Sequence, residues 1–292
     1  MPELPEVETI ARTLRLGGRE QPAKGASLPS GRASGPALVG RHILGASLLW
    51  ERTLVEPSPA EFTSRLVGQV IIDIGRRGKF LYFQLTRDWL LFHLRMSGDL
   101  LVKPSGTPFE THDRLVLELE GDIQLVFNDA RKFGRVWLVD EVDQVVGNLG
   151  SEPLDESLTA EDLFAHLHAT RRQLKPLLLD QTFLAGLGNI YVDEALNLAK
   201  LHPLTPANRL TQEQAIRLLK SIRTVLRDGI ERNGASIDWV YRGGDFQNYF
   251  RVYQRTGEPC PVCGTPIARI IVGQRGTHFC PYCQPVLDQN GG

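Results

Sequence analysis

The chain of 292 residues lacks any uninterrupted apolar run long enough to cross a bilayer, which excludes a helical membrane protein. Its opening, Met-Pro-Glu-Leu-Pro-Glu, is acidic and lacks the basic then apolar layout of a secretory signal. A soluble, cytoplasmic protein with no membrane partner is expected. Hydrophobic and charged contents of 42% and 23% agree with this. No internal repeat is present. An excess of positive charge is missing too: the net charge is -1, whereas binding a phosphate backbone usually recruits a basic surface. The distribution points the other way, because residues 201–292 hold 11 Lys and Arg against 7 Asp and Glu, a local +4 that leaves -5 for the first 200. The C-terminal third is the more anion-friendly part. Finally, no cysteine occurs before position 260.

The length suits two domains, each with its own core. Val7, Ile10, Ala11 and Leu14 have the spacing of an amphipathic helix over residues 6–14, with Pro5 and Glu6 suited to its first turn. Residues 17–36 are rich in Gly, Pro, Ala and Ser and have almost nothing to bury, so a flexible surface insertion is expected. Between 38 and 139, short runs such as Val70 to Ile74, Phe80 to Leu85, Trp89 to Leu94, Leu115 to Leu119, Leu125 to Phe127 and Val136 to Val139 predict an antiparallel sandwich or barrel. From about Thr159 the period becomes helical. Thr211 and Gln214 form a capping box, and Ala215, Leu218, Leu219, Ile222, Leu226 and Ile230 form one apolar stripe. The expectation is an α+β protein with a β-sandwich domain over 1–145, a helical domain over 146–250 and a C-terminal unit over 251–292.

All four cysteines lie in that last unit, as Cys260-Pro-Val-Cys263 and Cys280-Pro-Tyr-Cys283. The spacing predicts one structural zinc ion held by four thiolates, since each two-residue gap lets both sulfurs of a pair reach one tetrahedral ion. Two disulfides or four free thiols are the alternatives. A reducing cytosol and the strict pairing oppose them. Between the pairs, Ile267 to Val272 and Thr277 to Phe279 flank Gly273-Gln274-Arg275-Gly276, a β-hairpin with Arg275 at its tip. Arg275 is there either a solvated turn residue or a cation held rigidly toward a phosphate. The unit by itself also leaves open a ribbon that binds protein.

Three separated segments share a resemblance. The opening Met1-Pro2-Glu3-Leu4-Pro5-Glu6-Val7-Glu8-Thr9, the internal Leu187-Gly188-Asn189-Ile190-Tyr191-Val192-Asp193-Glu194-Ala195-Leu196 and the terminal cysteine pairs resemble the formamidopyrimidine-DNA glycosylase family, in that order along nearly the whole chain. Leu4 favours this branch over the endonuclease VIII branch, whose members tend to have glycine there. The resemblance implies an N-terminal β-sandwich, then a helix-two-turns-helix domain and a zinc hairpin, with damaged double-stranded DNA in the cleft between the domains and a monomeric enzyme.

It also implies roles. Removal of Met1 turns Pro2 into a secondary amine of reference pKa near 8, able to attack C1′ of a damaged nucleotide as catalytic lysines attack carbonyls. Without the resemblance Pro2 is only a stiff start to the chain. Glu3 is assigned to proton transfer on the deoxyribose and Glu6 to holding the N-terminal segment, although both also suit a helix N-terminus. Lys79, at a strand start where a lysine is usually just solvated, matches the family lysine that reaches the active site, while neighbouring Arg76 and Arg77 read as surface charge. Met96, Arg131 and Phe133 match the side chains that fill the gap left by a flipped nucleotide; singly, Met96 and Phe133 read as core. Ala130 and Lys132 stand where many relatives have proline and arginine. His112 aligns with a phosphate-contacting histidine, Asn189 with a phosphate ligand at a helix N-terminus, and Arg275 with a clamp on the lesion strand. Glu194 and Tyr191 read as supports of that element. Residues Asn233 to Asn248 resemble a loop that covers the extruded base. The expected activity is excision of oxidised purines such as 8-oxoguanine and formamidopyrimidines, followed by β- and δ-elimination, with zinc outside the chemistry. The rival readings are a pyrimidine-lesion preference and a non-catalytic zinc-hairpin DNA-binding protein.

Overall fold

The computed structural model describes residues 1–18, 35–236 and 243–286. The chain forms two compact units, one of residues 1–148 with 232–245 and the other of residues 149–231 with 246–292. The segment 232–245 therefore groups with the N-terminal unit, although it directly follows the long helix of the second.

In the first unit, helix α1 (Leu4–Leu16) starts two residues before the apolar pattern does. The cause is local. Pro5 needs no hydrogen-bond partner in the first turn, and the Glu3 amide donates to Glu6 Oε2 at 2.8 Å. The helix buries Val7, Ile10, Ala11 and Leu14 and is tied to the sheet beneath by Arg76–Glu8 and Arg15–Asp73 ion pairs, each at 2.8 Å. Strands β1 (Ile43–Leu48) and β2 (Leu54–Glu56) follow, then helix α2 (Pro59–Leu66), then β3 (Ile71–Arg77), β4 (Phe80–Leu85), β5 (Trp89–His93), β6 (Gly98–Pro104), β7 (Asp113–Leu119), β8 (Ile123–Asp129), β9 (Arg135–Val139) and the short α3 (Asp143–Val146). Helix α2 interrupts the region expected to be all strand. Ser58 caps it by accepting from the Glu61 amide, Pro59 opens it, and Phe62 and Leu66, one turn apart, are fully buried.

The strands form two sheets, ordered β1-β7-β8-β6 and β2-β9-β5-β4-β3, so the fold is a sandwich and not a closed barrel. Pairing is antiparallel except for β2 with β9. Alternate residues of both sheets point into one core, where Phe92 of one sheet meets Phe127 of the other edge to face, with ring centroids 5.5 Å apart.

The second unit contains α4 (Ala160–His168), α5 (Leu174–Leu178), α6 (Asn189–Leu198) and α7 (Gln212–Glu231), then the hairpin of β10 (Ala268–Val272) and β11 (Arg275–Phe279). The Thr211 capping box forms as expected: the Gln214 amide donates to Thr211 Oγ1 at 3.2 Å, and the Thr211 amide to Gln214 Oε1 at 2.9 Å. The α7 stripe is buried from Ala215 to Leu226, whereas Ile230 is half-buried. Helix α6 is buried along Ile190 to Asn197, including Asp193 and Glu194, and Tyr191 stacks on Phe246 at 5.3 Å. Among the described residues, no helix is long and apolar enough to cross a membrane.

Most of the insertion expected at 17–36 lies outside the described residues, but its two ends are described and meet. The Gly18 amide donates to the Gly35 carbonyl at 3.1 Å, and the Leu38 amide to the Leu14 carbonyl at 2.9 Å. The ends already sit at turn distance, so residues 19–34 can be replaced by a short glycine-rich turn with a small change in closure entropy. The shortened protein is expected to melt within a few degrees of the original by calorimetry. A fall of more than about 8 °C, which corresponds to several kcal/mol in a protein of this size, would show that the insertion packs against the sandwich.

Candidate active site

The N-terminal residues sit in the first unit, where Pro2, Glu3 and Glu6 are all buried. Glu6 is the organiser. One of its carboxylate oxygens accepts from the Glu3 amide at 2.8 Å, and the other accepts from the Ala235 amide at 2.8 Å. Gly234 makes that approach possible, because its φ of 78° lies in the left-handed region and an added Cβ would stand 2.6 Å from Glu6 Oε1. The same segment closes on itself through Asp245 to Arg232 at 2.9 Å and Gly244 to Ser236 Oγ at 2.8 Å. Of the loop expected over 233–248, residues 237–242 lie outside the described residues. The chain around 235 is thus fastened to the start of α1, a link of 229 positions that no local pattern reveals.

Lys79 leads into β4 and is only 6% exposed, so it is not a solvated strand-start lysine. Nor is Arg76 plain surface charge, being nearly buried in its ion pair with Glu8. Beside Lys79 stands His93, which sequence reasoning missed. His93 is paired with Phe80 across β4 and β5, with its ring edge to face at 4.7 Å. Burial, reinforced by the charges of Arg95 and Lys79, pushes its pKa down to about 3. The Arg95 amide donates to His93 Nδ1 at 3.1 Å, which requires a lone pair on that nitrogen and fits a neutral ring. A neutral imidazole adds no further positive charge beside Arg95 and Lys79.

Met96, Arg131 and Phe133 are exposed, not core, and lie on two turns joined by Asp129. The buried Asp129 carboxylate accepts from Ser97 Oγ, from the Arg131 amide at 3.2 Å and from the Gly134 amide at 2.7 Å. Its backbone amide donates to the His112 carbonyl at 2.8 Å, and its carbonyl accepts from Arg114 Nε at 2.8 Å. Four sequence-predicted residues therefore share one anchor, which the strand pattern did not single out. The Arg131 guanidinium lies 5.1 Å from the centroid of the Phe133 ring. An exposed aromatic, thioether and guanidinium held on rigid turns can enter a stack of bases.

In the second unit, Asn189 is the first residue of α6. Its Nδ2 donates to the Gly276 carbonyl at 3.0 Å, next to Arg275, while its Oδ1 is buried and unpartnered among the described residues. Arg275 is exposed and opens β11, opposite Val272. The turn itself is Gly273-Gln274, both in the left-handed region at φ 53° and 62°, so Arg275 lies one residue past the expected tip. The hairpin is held on α6 by buried charge: Asp193 accepts from Lys175 Nζ and from the His278 amide at 2.9 Å, with His278 Nδ1 3.2 Å away. Glu194 accepts the amides of Arg251, Val252 and Tyr253 at 2.8 to 3.0 Å. Burial pushes its carboxyl pKa up and these donors pull it back. Lys175 is fully buried and was not anticipated; its one signal is a lysine inside the otherwise apolar Leu-Lys-Pro-Leu-Leu.

The sulfurs of Cys260, Cys263, Cys280 and Cys283 all lie within 4.8 Å of one another, with nearest spacings of 3.4, 3.5 and 3.9 Å. A tetrahedral ion with metal–sulfur bonds near 2.3 Å requires spacings of about 3.8 Å. The donor set therefore fits a four-thiolate metal site. It forms a small core of its own with Val252 and Ile267.

Comparison with known proteins agrees with this geometry. Residues 31–136 match the formamidopyrimidine-DNA glycosylase N-terminal domain, residues 149–240 the formamidopyrimidine-DNA glycosylase H2TH domain, and residues 257–286 the zinc finger found in FPG and IleRS. The chain is 44% identical to the formamidopyrimidine-DNA glycosylase of Chloroflexus aurantiacus, covering 99% of each chain. It is 42% identical to that of Protochlamydia amoebophila, covering 97% of this chain and 99% of the relative. Among solved structures, Lactococcus lactis Fpg in complex with FAPY-dG-containing DNA superposes with a TM-score of 0.84 at 37% identity, covering 97% of this chain and all of the other. A MutM complex with carbocyclic 8-oxo-G-containing DNA gives 0.84 at 38% identity and 97% of this chain. Fold and site thus define an α+β enzyme of the DNA glycosylase class. The chain belongs to the formamidopyrimidine-DNA glycosylase family.

The neutral His93 has a measurable consequence. Its pKa is lower folded than unfolded, so the unfolded chain binds the extra proton, and stability falls as pH drops below about 6.5 toward 3, by up to about 1.4 kcal/mol per unit. His93→Asn, which keeps an acceptor for the Arg95 amide, is expected to flatten the decline in melting temperature between pH 7 and pH 4.5. Parallel pH curves for variant and parent would show that His93 does not resist protonation.

Proposed function

We propose that this protein excises oxidised purines, 8-oxoguanine and formamidopyrimidines, from duplex DNA and then cuts the strand by β- and δ-elimination. The observation that carries the reading is the N-terminal arrangement: a buried Pro2 ahead of a helix whose first turn is fastened on both sides by Glu6. A nucleophilic amine needs such fixation, because attack requires near-attack geometry.

With Met1 removed, the Pro2 nitrogen attacks C1′, the bond from C1′ to the base breaks, and the base departs with its electron pair and a proton. Glu3 protonates the ring oxygen as the sugar opens, leaving an iminium between Pro2 and C1′. That cation acidifies the C2′ proton, whose loss expels the 3′ phosphate; a second elimination expels the 5′ phosphate. Lys79 balances phosphate charge near the lesion. Met96, Arg131 and Phe133 occupy the space of the extruded nucleotide and offset part of the unstacking cost. His112, Asn189 and Arg275 hold the backbone. Asn189 does so from the N-terminus of α6, where its Nδ2 is engaged by the Gly276 carbonyl beside Arg275. The four thiolates hold zinc, which fixes the hairpin that presents Arg275 and takes no part in bond breaking. The protein works as a monomer in the cytoplasm.

Borohydride is expected to reduce the iminium and leave protein attached to lesion-containing DNA, with the crosslink on Pro2 by peptide mass analysis. A form that retains Met1 should bind the same duplex yet neither crosslink nor nick. Nicking at the parent rate by that form, or a crosslink mapped to Lys79, would overturn the assignment of the nucleophile. For the metal, Cys263→Ser should release zinc and weaken damaged-DNA binding at least tenfold, and Arg275→Ala should reproduce the binding loss with zinc retained. Full zinc content together with unchanged affinity in Cys263→Ser would contradict the structural role.

A further inference from the structure

The turn that carries Arg131 and Phe133 is pinned at its base by Asp129 but needs a second hold at its tip. Lys132, between the two projecting residues, adopts φ 62°, a left-handed conformation that costs a side chain with a Cβ roughly 1 kcal/mol or more. Its ammonium lies 3.9 Å from the centroid of the Trp50 ring, well inside cation–π range. Trp50 is itself rigidly mounted. The amides of Leu49 and Trp50 both donate to the Arg114 carbonyl, at 2.9 and 3.2 Å, and Arg114 Nε donates to the Asp129 carbonyl at 2.8 Å. The Trp50 carbonyl in turn accepts the Thr53 amide at 3.0 Å. Backbone and ring of Trp50 are thus tied to the same turn by two independent routes, through Arg114 to its base and through Lys132 to its tip.

We propose that Trp50 is a positioning residue for base extrusion: by holding the Lys132 ammonium on its ring it fixes the left-handed tip, so that Arg131 and Phe133 project in register before DNA arrives. Arg131, Lys132 and Phe133 are all exposed, so the turn has no burial to fix its tip, and the contact of Lys132 with the Trp50 ring supplies that restraint while the Arg131 guanidinium rests against the Phe133 ring at 5.1 Å. The consequence for excision rests on the reading of Arg131 and Phe133 given above; the restraint on the turn does not.

Trp50→Leu, Lys132→Met and the double variant test this, with Trp50→Tyr as the conservative control. The first measurement uses the free protein: trypsin cleavage after Arg131 should be about twofold to thirtyfold faster in Trp50→Leu than in the parent, and close to the parent rate in Trp50→Tyr. The second compares single-turnover excision of 8-oxoguanine with nicking of a preformed abasic site. Trp50→Leu and Lys132→Met should each lower the ratio of the two rates by a similar factor, and the double variant should be no worse than either single one, because both remove the same contact. Unchanged trypsin cleavage in Trp50→Leu overturns the proposal whatever the DNA assays give. Multiplying effects of the two substitutions, with a reduced salt dependence of binding in Lys132→Met alone, also overturn it and make Lys132 a direct phosphate ligand. Phe133→Ala serves as the reference: equal loss on both substrates there would instead overturn the extrusion reading, while the proteolysis result continues to decide the restraint.

Discussion

A carboxylate withdrawn from water costs several kcal/mol unless its lone pairs are filled by donors. This protein buries Glu6, Asp129, Asp193 and Glu194, none more than 2% exposed, and each accepts at least one backbone amide and at least one donor from a segment distant in sequence. Glu6 joins the first turn of α1 to Ala235, Asp129 joins the turns bearing Met96, Arg131 and Phe133, Asp193 joins α6 to the hairpin, and Glu194 gathers the amides of residues 251 to 253. Breaking any of these leaves both an unpaired charge and unpaired amides in a low-dielectric interior. The sites are rigid because their failure would be expensive on both sides.

The two units apply this device to different chemical ends. In the sandwich, buried acids fasten the first turn of α1 and the turns bearing Met96, Arg131 and Phe133, and His93 stays neutral beside Lys79 and Arg95. In the helical unit, Lys175 and Asp193 hold a hairpin whose exposed end is Arg275. The four clustered thiolates lie at the base of that hairpin, and a two-stranded ribbon with so small an apolar cluster does not fold stably unaided, which fits a donor set suited to a metal.

Helix α2 shows where periodicity misleads. The stretch from 38 to 139 is dominated by strands, and an eight-residue helix marked only by Ser58, Pro59 and two buried apolar residues is easily absorbed into that background. The hairpin shows the reverse: Gly273 announces a turn, yet which residue opens the next strand depends on two successive left-handed residues, the second of them Gln274, which carries no such signature. Met96 and Phe133 look like core by residue type and are exposed, because burial follows from which face of a turn the anchor at Asp129 presents to water.

By itself the sequence determined what local chemistry dictates: the amphipathic faces of α1 and α7, the strand runs, the capping box at Thr211 and the paired cysteines. Each depends on residues only a few positions apart. Its resemblance to a family added which residues to watch. Only the tertiary structure decided which of them are held, and by what. The Glu6–Ala235 bond spans 229 positions, the Asn189–Gly276 bond 87 and the Lys175–Asp193 pair 18. Such partners are chosen by the packing of whole elements, and no spacing rule within a strand or helix encodes them.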